Sequence, residues 1–250
     1  MTALDVSKSV LVHSKPGFRS GVSAATVPGS KITMHVMTIA PGDTALPENG
    51  LGTEAAGYIV SGHARIRSGK DLAESKEIGP GDFYFTPVQC PHVIQNRDRE
   101  PLNLVLAYSL DPTITNNSKR AENLPPGVIV VHKPLDASTT AQTRGMRRVP
   151  AICAETTGAT QIWMCFLTVE PHERGQPHHH GSAHTAAYTI SGRARICFGP
   201  NFDDFIEPRA GDFAFDPPGL VHLVDHPFDD EPWKGVLARC PQNTVVNVGE

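Results

Sequence analysis

No run in this chain of 250 residues stays apolar for the roughly 20 positions that a membrane-crossing helix needs. Its first residues, MTALDVSKSV, lack the basic start and apolar core of a secretory leader. Cysteine is sparse: Cys90, Cys153, Cys165, Cys197 and Cys240 make five, an odd number with no CxxC pair among them. A disulfide framework is therefore not expected, and the chain reads as reduced and cytoplasmic. Charge of either sign is not in excess, with a net −4 and no block of like charges. Neither nucleic acid nor an anionic membrane is expected as a partner. Amphipathic helical periodicity is missing as well.

What the chain does have is turn-forming residues, 22 glycines and 22 prolines. Between them lie short β-type segments, such as KITMHVMTIAPGD from Lys31, HARIRSG from His63, GDFYFT from Gly81 and the stretch Asn103 to Ser109. Many short strands with tight turns predict an all-β protein. The pattern then repeats. Tyr58-Ile59-Val60-Ser61-Gly62 returns as Tyr188-Thr189-Ile190-Ser191-Gly192, Gly81-Asp82-Phe83 as Gly211-Asp212-Phe213, Pro87 as Pro217 and His92 as His222, always 130 residues apart. Val12-His13 is likewise echoed by Val131-His132. Two copies of one β unit are expected, residues 1–125 and 126–250, with the polar Asp111 to Pro126 as linker.

Within the second copy, QPHHHGSAHTAAYTISG packs His178, His179, His180 and His184 into seven positions. Strand alternation points His178 and His180 one way and His179 the other, and a short turn at 181–183 returns His184 to the first face. Converging imidazoles are a transition-metal pattern; the alternative is a solvated histidine-rich turn.

Taken together these motifs resemble the cupin superfamily, specifically its two-domain bicupins. The second half supplies His178-x-His180, a residue in the family's acidic slot and Gly192, then Gly211-Asp212, Pro217, Gly219 and His222. The first half supplies GDFYFTPVQCPHVIQN. The resemblance implies two tandem jelly-roll β-barrels and a metal held by first-motif ligands together with the second-motif histidine. Carried over position by position, the ligands are His178, His180, His184 and His222. The first half has Glu48, Gly50, Glu54 and His92 in those places, and is expected to hold no metal.

The implied cofactor is one divalent transition metal, with Fe, Mn, Ni, Co, Cu and Zn all suited to imidazole. Its substrate is expected to be a small oxygen-bearing organic molecule, cleaved in a dioxygenase-like oxidation. Metal-assisted hydrolysis, isomerisation or decarboxylation, or ligand binding without turnover, are the alternatives. Tyr188 shares the even parity of the ligands, so it is a candidate catalytic hydrogen-bond donor, or equally a packed core tyrosine. The cluster Arg144, Arg147 and Arg148 could meet an anionic substrate but reads more simply as a solvated loop. Strands apolar on both faces, at Thr33 to Ile39 and Gln161 to Val169, predict a homodimer. Four neutral imidazoles also predict metal release in mildly acid solution, before the barrels unfold.

Overall fold

A computed structural model describes residues 4–13, 21–46, 52–110 and 127–249. The first half contributes β1 (Val10–Val12), β2 (Gly21–Val22), β3 (Ile32–Ile39), β4 (Thr44–Ala45) and β5 (Ala55–Ser61). It continues with β6 (Ala64–Ser68), β7 (Glu74–Ile78), β8 (Phe83–Thr86), β9 (His92–Gln95) and β10 (Leu102–Ser109). The second half begins with β11 (Ile129–Val131), β12 (Arg147–Ile152), β13 (Trp163–Val169), β14 (His178–His179) and β15 (His184–Ser191). It ends with β16 (Arg195–Phe198), β17 (Asp204–Ile206), β18 (Phe213–Asp216), β19 (His222–Asp225), β20 (Trp233–Cys240) and β21 (Val246–Asn247). Every named strand pairing is antiparallel, and each half folds a larger and a smaller sheet around its own interior, the two-barrel architecture expected from the repeat. The expected linker, and with it the boundary at 125/126, falls outside the described residues.

The halves exchange strands. β1 of the first half pairs with β18 of the second, Val10 opposite Phe215, and β11 of the second pairs with β8 of the first, Ile129 opposite Phe85. The histidine ending each exchanged strand then meets the same turn aspartate of the other half: His13 Nδ1 lies 2.9 Å from Asp212, and His132 Nδ1 lies 2.8 Å from Asp82. The echo of Val12-His13 in Val131-His132 is thus one construction made twice.

The two six-stranded sheets face each other across a shared apolar layer. Ile32, Met34, Tyr58, Phe83 and Val105 come from one side, and Met164, Phe213, Phe215, Val236 and Cys240 from the other. Burying each large side chain there contributes about 1.5–3 kcal/mol. This layer explains why β3 and β13 are apolar on both faces. Met34 and Met164 fill it, while Met37 and Leu167 turn inward to their own barrels. The feature that predicted a homodimer is therefore used up within one chain.

Polar pins cross the same layer. Glu54 opens β5 and is buried; its carboxylate accepts the backbone N–H of Thr160 at 2.9 Å and of Gln161 at 2.7 Å. His184 opens β15 at the matching position, and its Nδ1 accepts the Lys31 N–H at 3.3 Å. Lys31 and Gln161 are themselves repeat partners, 130 residues apart. In both halves the residue assigned to the acidic slot ties the barrels together.

The interiors differ. In the first half Tyr84 lies across Gly57, where an added Cβ would come within 2.0 Å of the ring. Met37, Ile59, Ile66 and Leu104 complete an apolar filling. The matching pair in the second half is Ala187 and Ala214, and those small side chains leave space for polar groups.

Candidate metal centre

His178 starts β14, His180 follows it in the next turn, and His222 starts β19, directly opposite His178 in the sheet. All three are buried, and one ligand atom from each lies within 4.8 Å of the others. Each ring is held from behind by a backbone carbonyl. His178 Nδ1 lies 3.0 Å from the Gln176 oxygen, His180 Nδ1 2.9 Å from that of Thr244, and His222 Nδ1 3.0 Å from that of Leu220. A carbonyl only accepts, so each Nδ1 carries the proton and each Nε2 keeps its lone pair for the centre.

Two arginines reach the same lone pairs. Arg148 of β12 donates from Nη2 to His178 Nε2 at 3.1 Å, and Arg239 of β20 does the same to His180 Nε2 at 3.1 Å. Both guanidiniums are essentially inaccessible to water. Their other partners are neutral: Thr143 and Met146 for Arg148, Thr185 and Asn243 for Arg239. Burial pulls Arg148 down to about 10 and Arg239 to about 9, the latter helped by repulsion from Arg148. Both stay charged at neutral pH. Burial, then the His222 and Arg148 neighbours, depress His178 to about 2, and burial with Arg239 holds His180 well below its usual value. The rings are therefore neutral, as metal ligation requires.

His184 and Tyr188 do not join this group. The turn at 181–183 shifts the parity, so that the even positions of β15 face the layer between the barrels. His184 packs there against Phe215 with ring centroids 5.9 Å apart, and Tyr188 against Phe213 at 4.9 Å. Burial raises the Tyr188 hydroxyl above its normal value. The odd positions face the centre, where Thr185 takes Arg239 Nε at 3.3 Å.

Arg148 is not the solvated residue its neighbours suggest. Arg144 and Arg147 are exposed, but Arg148 turns inward by strand alternation. Arg239, a lone charge in the apolar run Val236 to Cys240, was the other signal available. His179 turns aside and takes the Gly181 N–H, while His172, Glu170 and Glu173 are exposed. In the first half Glu48 and Gly50 lie outside the described residues. Glu54 is committed to the interface, and His92 repeats only the carbonyl contact of His222, with Nδ1 3.0 Å from the Cys90 oxygen. Among the described residues, the His178–His180–His222 group is the one cluster of at least three metal donors.

A cavity of about 300 Å³, lined among others by Thr140, Cys153, Trp163, Gln242 and Asn243, borders Arg239, though none of the three histidines lines it. Two of its walls touch Arg239: Asn243 accepts from Nη1, and the Trp163 ring centre is 5.3 Å from the guanidinium carbon.

A family model described as a cupin domain matches residues 35–108. A search of curated proteins finds no match. Among solved structures, a tryptophan variant of oxalate decarboxylase from Bacillus subtilis aligns with a TM-score of 0.68 at 18% identity, covering 99% of this chain and 80% of that one. A glutamate-to-alanine mutant of the B. subtilis enzyme gives 0.68 at 19%, covering 100% and 80%. The structure of the enzyme at pH 4.6 gives 0.68 at 18%, covering 99% and 79%. At this identity the likeness concerns the fold.

Proposed function

We propose that this chain is a cupin and that its second barrel is a metal-dependent enzyme site for a small carboxylate. The observation that carries this reading is the pair of buried arginines beside three convergent imidazoles, each guanidinium with neutral partners. The buried Asp216 carboxylate acts on Arg239 through its charge. Two buried cations against that one anion still favour a ligand that brings another, and a guanidinium fork matches a carboxylate in shape as well as charge.

The donor set fits a divalent metal. His178, His180 and His222 would hold it through Nε2, the atoms that now accept from Arg148 and Arg239. When bound, the metal would supply Lewis acidity toward a substrate oxygen and positions for a substrate that chelates through adjacent oxygens. Arg148 and Arg239 would bind and orient the carboxylate, and Thr185 and Asn243 hold the Arg239 fork. The cavity at Trp163 and Asn243, which borders Arg239, would be the approach on this reading. The reaction we favour is dioxygenase-like carbon–carbon cleavage. Decarboxylation without net oxygen consumption is the second reading, favoured by the paired arginines, which suit a substrate with two carboxylates.

The test is to load the protein with Mn(II), Fe(II) or Co(II) and screen dicarboxylates, 2-oxo acids and enolisable diketones. Oxygen uptake and carbon dioxide release are followed together. Arg148→Lys and Arg239→Lys should each weaken carboxylate binding by about 10–100-fold, the worth of a charge-assisted hydrogen bond or two. Equal turnover of neutral substrates, with both lysine variants unimpaired, would refute the carboxylate assignment.

A further inference from the structure

Three neutral imidazoles and two guanidiniums leave this centre rich in positive charge before any metal arrives. Concentrating buried charge of one sign without a fixed anion is unfavourable. On the site-facing side of β15 stands Thr185, which offers no charge. Directly opposite it in the sheet register is Asp216 of β18. Asp216 is buried, and its Oδ2 lies 3.7 Å from Nε2 of His222, the nitrogen left free by the Leu220 contact. Its Oδ1 accepts from the Ser9 hydroxyl at 2.6 Å. Ser9 is also buried and immediately precedes β1, the strand lent by the first half. The first half offers a contrast: the residue 130 positions before Asp216 is Thr86, in a barrel filled by Tyr84.

We propose that Asp216 is a fourth protein ligand to the metal held by His178, His180 and His222, and that Ser9 orients it. The carboxylate approaches the centre from β18 on its His222 side, opposite Thr185 of β15, and stands outside the three-donor group until a metal draws it in. With Oδ1 engaged by Ser9, Oδ2 is the oxygen left to face the ion, and carboxylate oxygen is an ordinary donor to divalent Mn, Fe, Co and Zn. Asp216 also lowers the charge of the centre by one, leaving both arginines for substrate. The assignment rests on the metal reading of the triad.

The test titrates metal-free, full-length protein with Mn(II) and with Co(II) against a competing chelator, recording the Co(II) absorption spectrum. Asp216→Asn is expected to weaken both metals by about 100-fold, the upper end of what even outer-shell partners are worth. It should also change the Co(II) bands, and Asp216→Glu should recover most of the affinity. Ser9→Ala should cost about 10-fold while keeping the Co(II) bands, since it supports the ligand without being one. Circular dichroism establishes that each variant is folded; should Asp216→Asn not fold, Asp216→Ser takes its place, and wild-type affinity and spectra in it would overturn the proposal. Asp216→Asn that binds within about threefold of wild type, with the same spectrum, overturns the Asp216 assignment and leaves the triad standing. Wild-type protein that takes up neither metal removes both.

Discussion

A single residue shows how a one-position shift of parity separates a candidate ligand from a strut. His184 sits four residues beyond His180, close enough in sequence to pass as a member of the cluster. The turn at 181–183 delivers it to the layer between the barrels, where it takes the Lys31 N–H at 3.3 Å and packs on Phe215. His184→Gln should therefore leave Co(II) affinity within about threefold of wild type, since His184 holds the Lys31 N–H and packs on Phe215 in the layer between the barrels. Its loss should appear in stability instead, about 1 kcal/mol for one hydrogen bond, read as a lower chemical-denaturation midpoint. Metal loss in that variant would return His184 to the centre. His178 and His180 were legible from their spacing and His222 from the resemblance to the cupin motifs, a reading that drew in His184 as well; the structure groups the first three. Arg148 and Arg239 were less legible, because an arginine is among the residues least often buried; the lone charge in VLARC was a signal for Arg239, while Arg148 sits in RRVPAI beside an arginine that does face solvent.

Among the elements, the turns were legible and the strand exchange was not. Gly62 and Gly192 have φ of 81° and 69°, Gly81 and Gly211 of 91° and 92°. That conformation favours glycine, so the same turns must repeat the same residue, and the repeat shows in the sequence. β1 and β11 have three residues each and carry no register of their own; their partners lie some 200 and 46 positions away and are chosen by tertiary packing. The contrast between the barrel interiors also belongs at this scale. Gly57→Ala should drive a methyl group into the Tyr84 ring and destabilise the chain by about 1–3 kcal/mol, as overpacking does. Tyr84→Ala empties the same space and should cost about 3–5 kcal/mol. Together they reproduce the Ala187–Ala214 pair of the other half, and the double variant should cost less than the sum of the two by at least about 0.5 kcal/mol. Strict additivity in a denaturation series would show that Tyr84 does not set the first barrel's filling.

For the molecule as a whole, the buried histidines tie folding to pH. His178 is depressed to about 2, and His180 lies well below its usual value, in both cases chiefly by burial. In the unfolded chain each returns to about 6.5. Between those limits the unfolded state binds protons that the folded state refuses, so stability falls as pH falls; above about 6.5 the contribution is constant. His178 then costs about 1.4 kcal/mol per pH unit, about 2 kcal/mol between pH 6.5 and 5, and His180 adds to it in the same direction. That is a large share of the 5–15 kcal/mol typical of a folded domain. Glu54 works in the opposite sense. Burial raises its carboxyl above 4.5, so its contribution is present at low pH and lost as pH rises through the folded value. One such group offsets part of the effect of two histidines and does not reverse it. The same depression alters the expectation that metal leaves before the fold does. Protons compete poorly for rings that stay neutral in the folded protein, so the route to acid release is unfolding itself. Metal retention and the circular dichroism signal, followed in parallel from pH 7 downward, should share one midpoint, and added Mn(II) should move both to lower pH. Metal loss a full pH unit above the loss of β-structure would show that the centre takes up protons while folded, and that its histidines are more open to water than the structure has them.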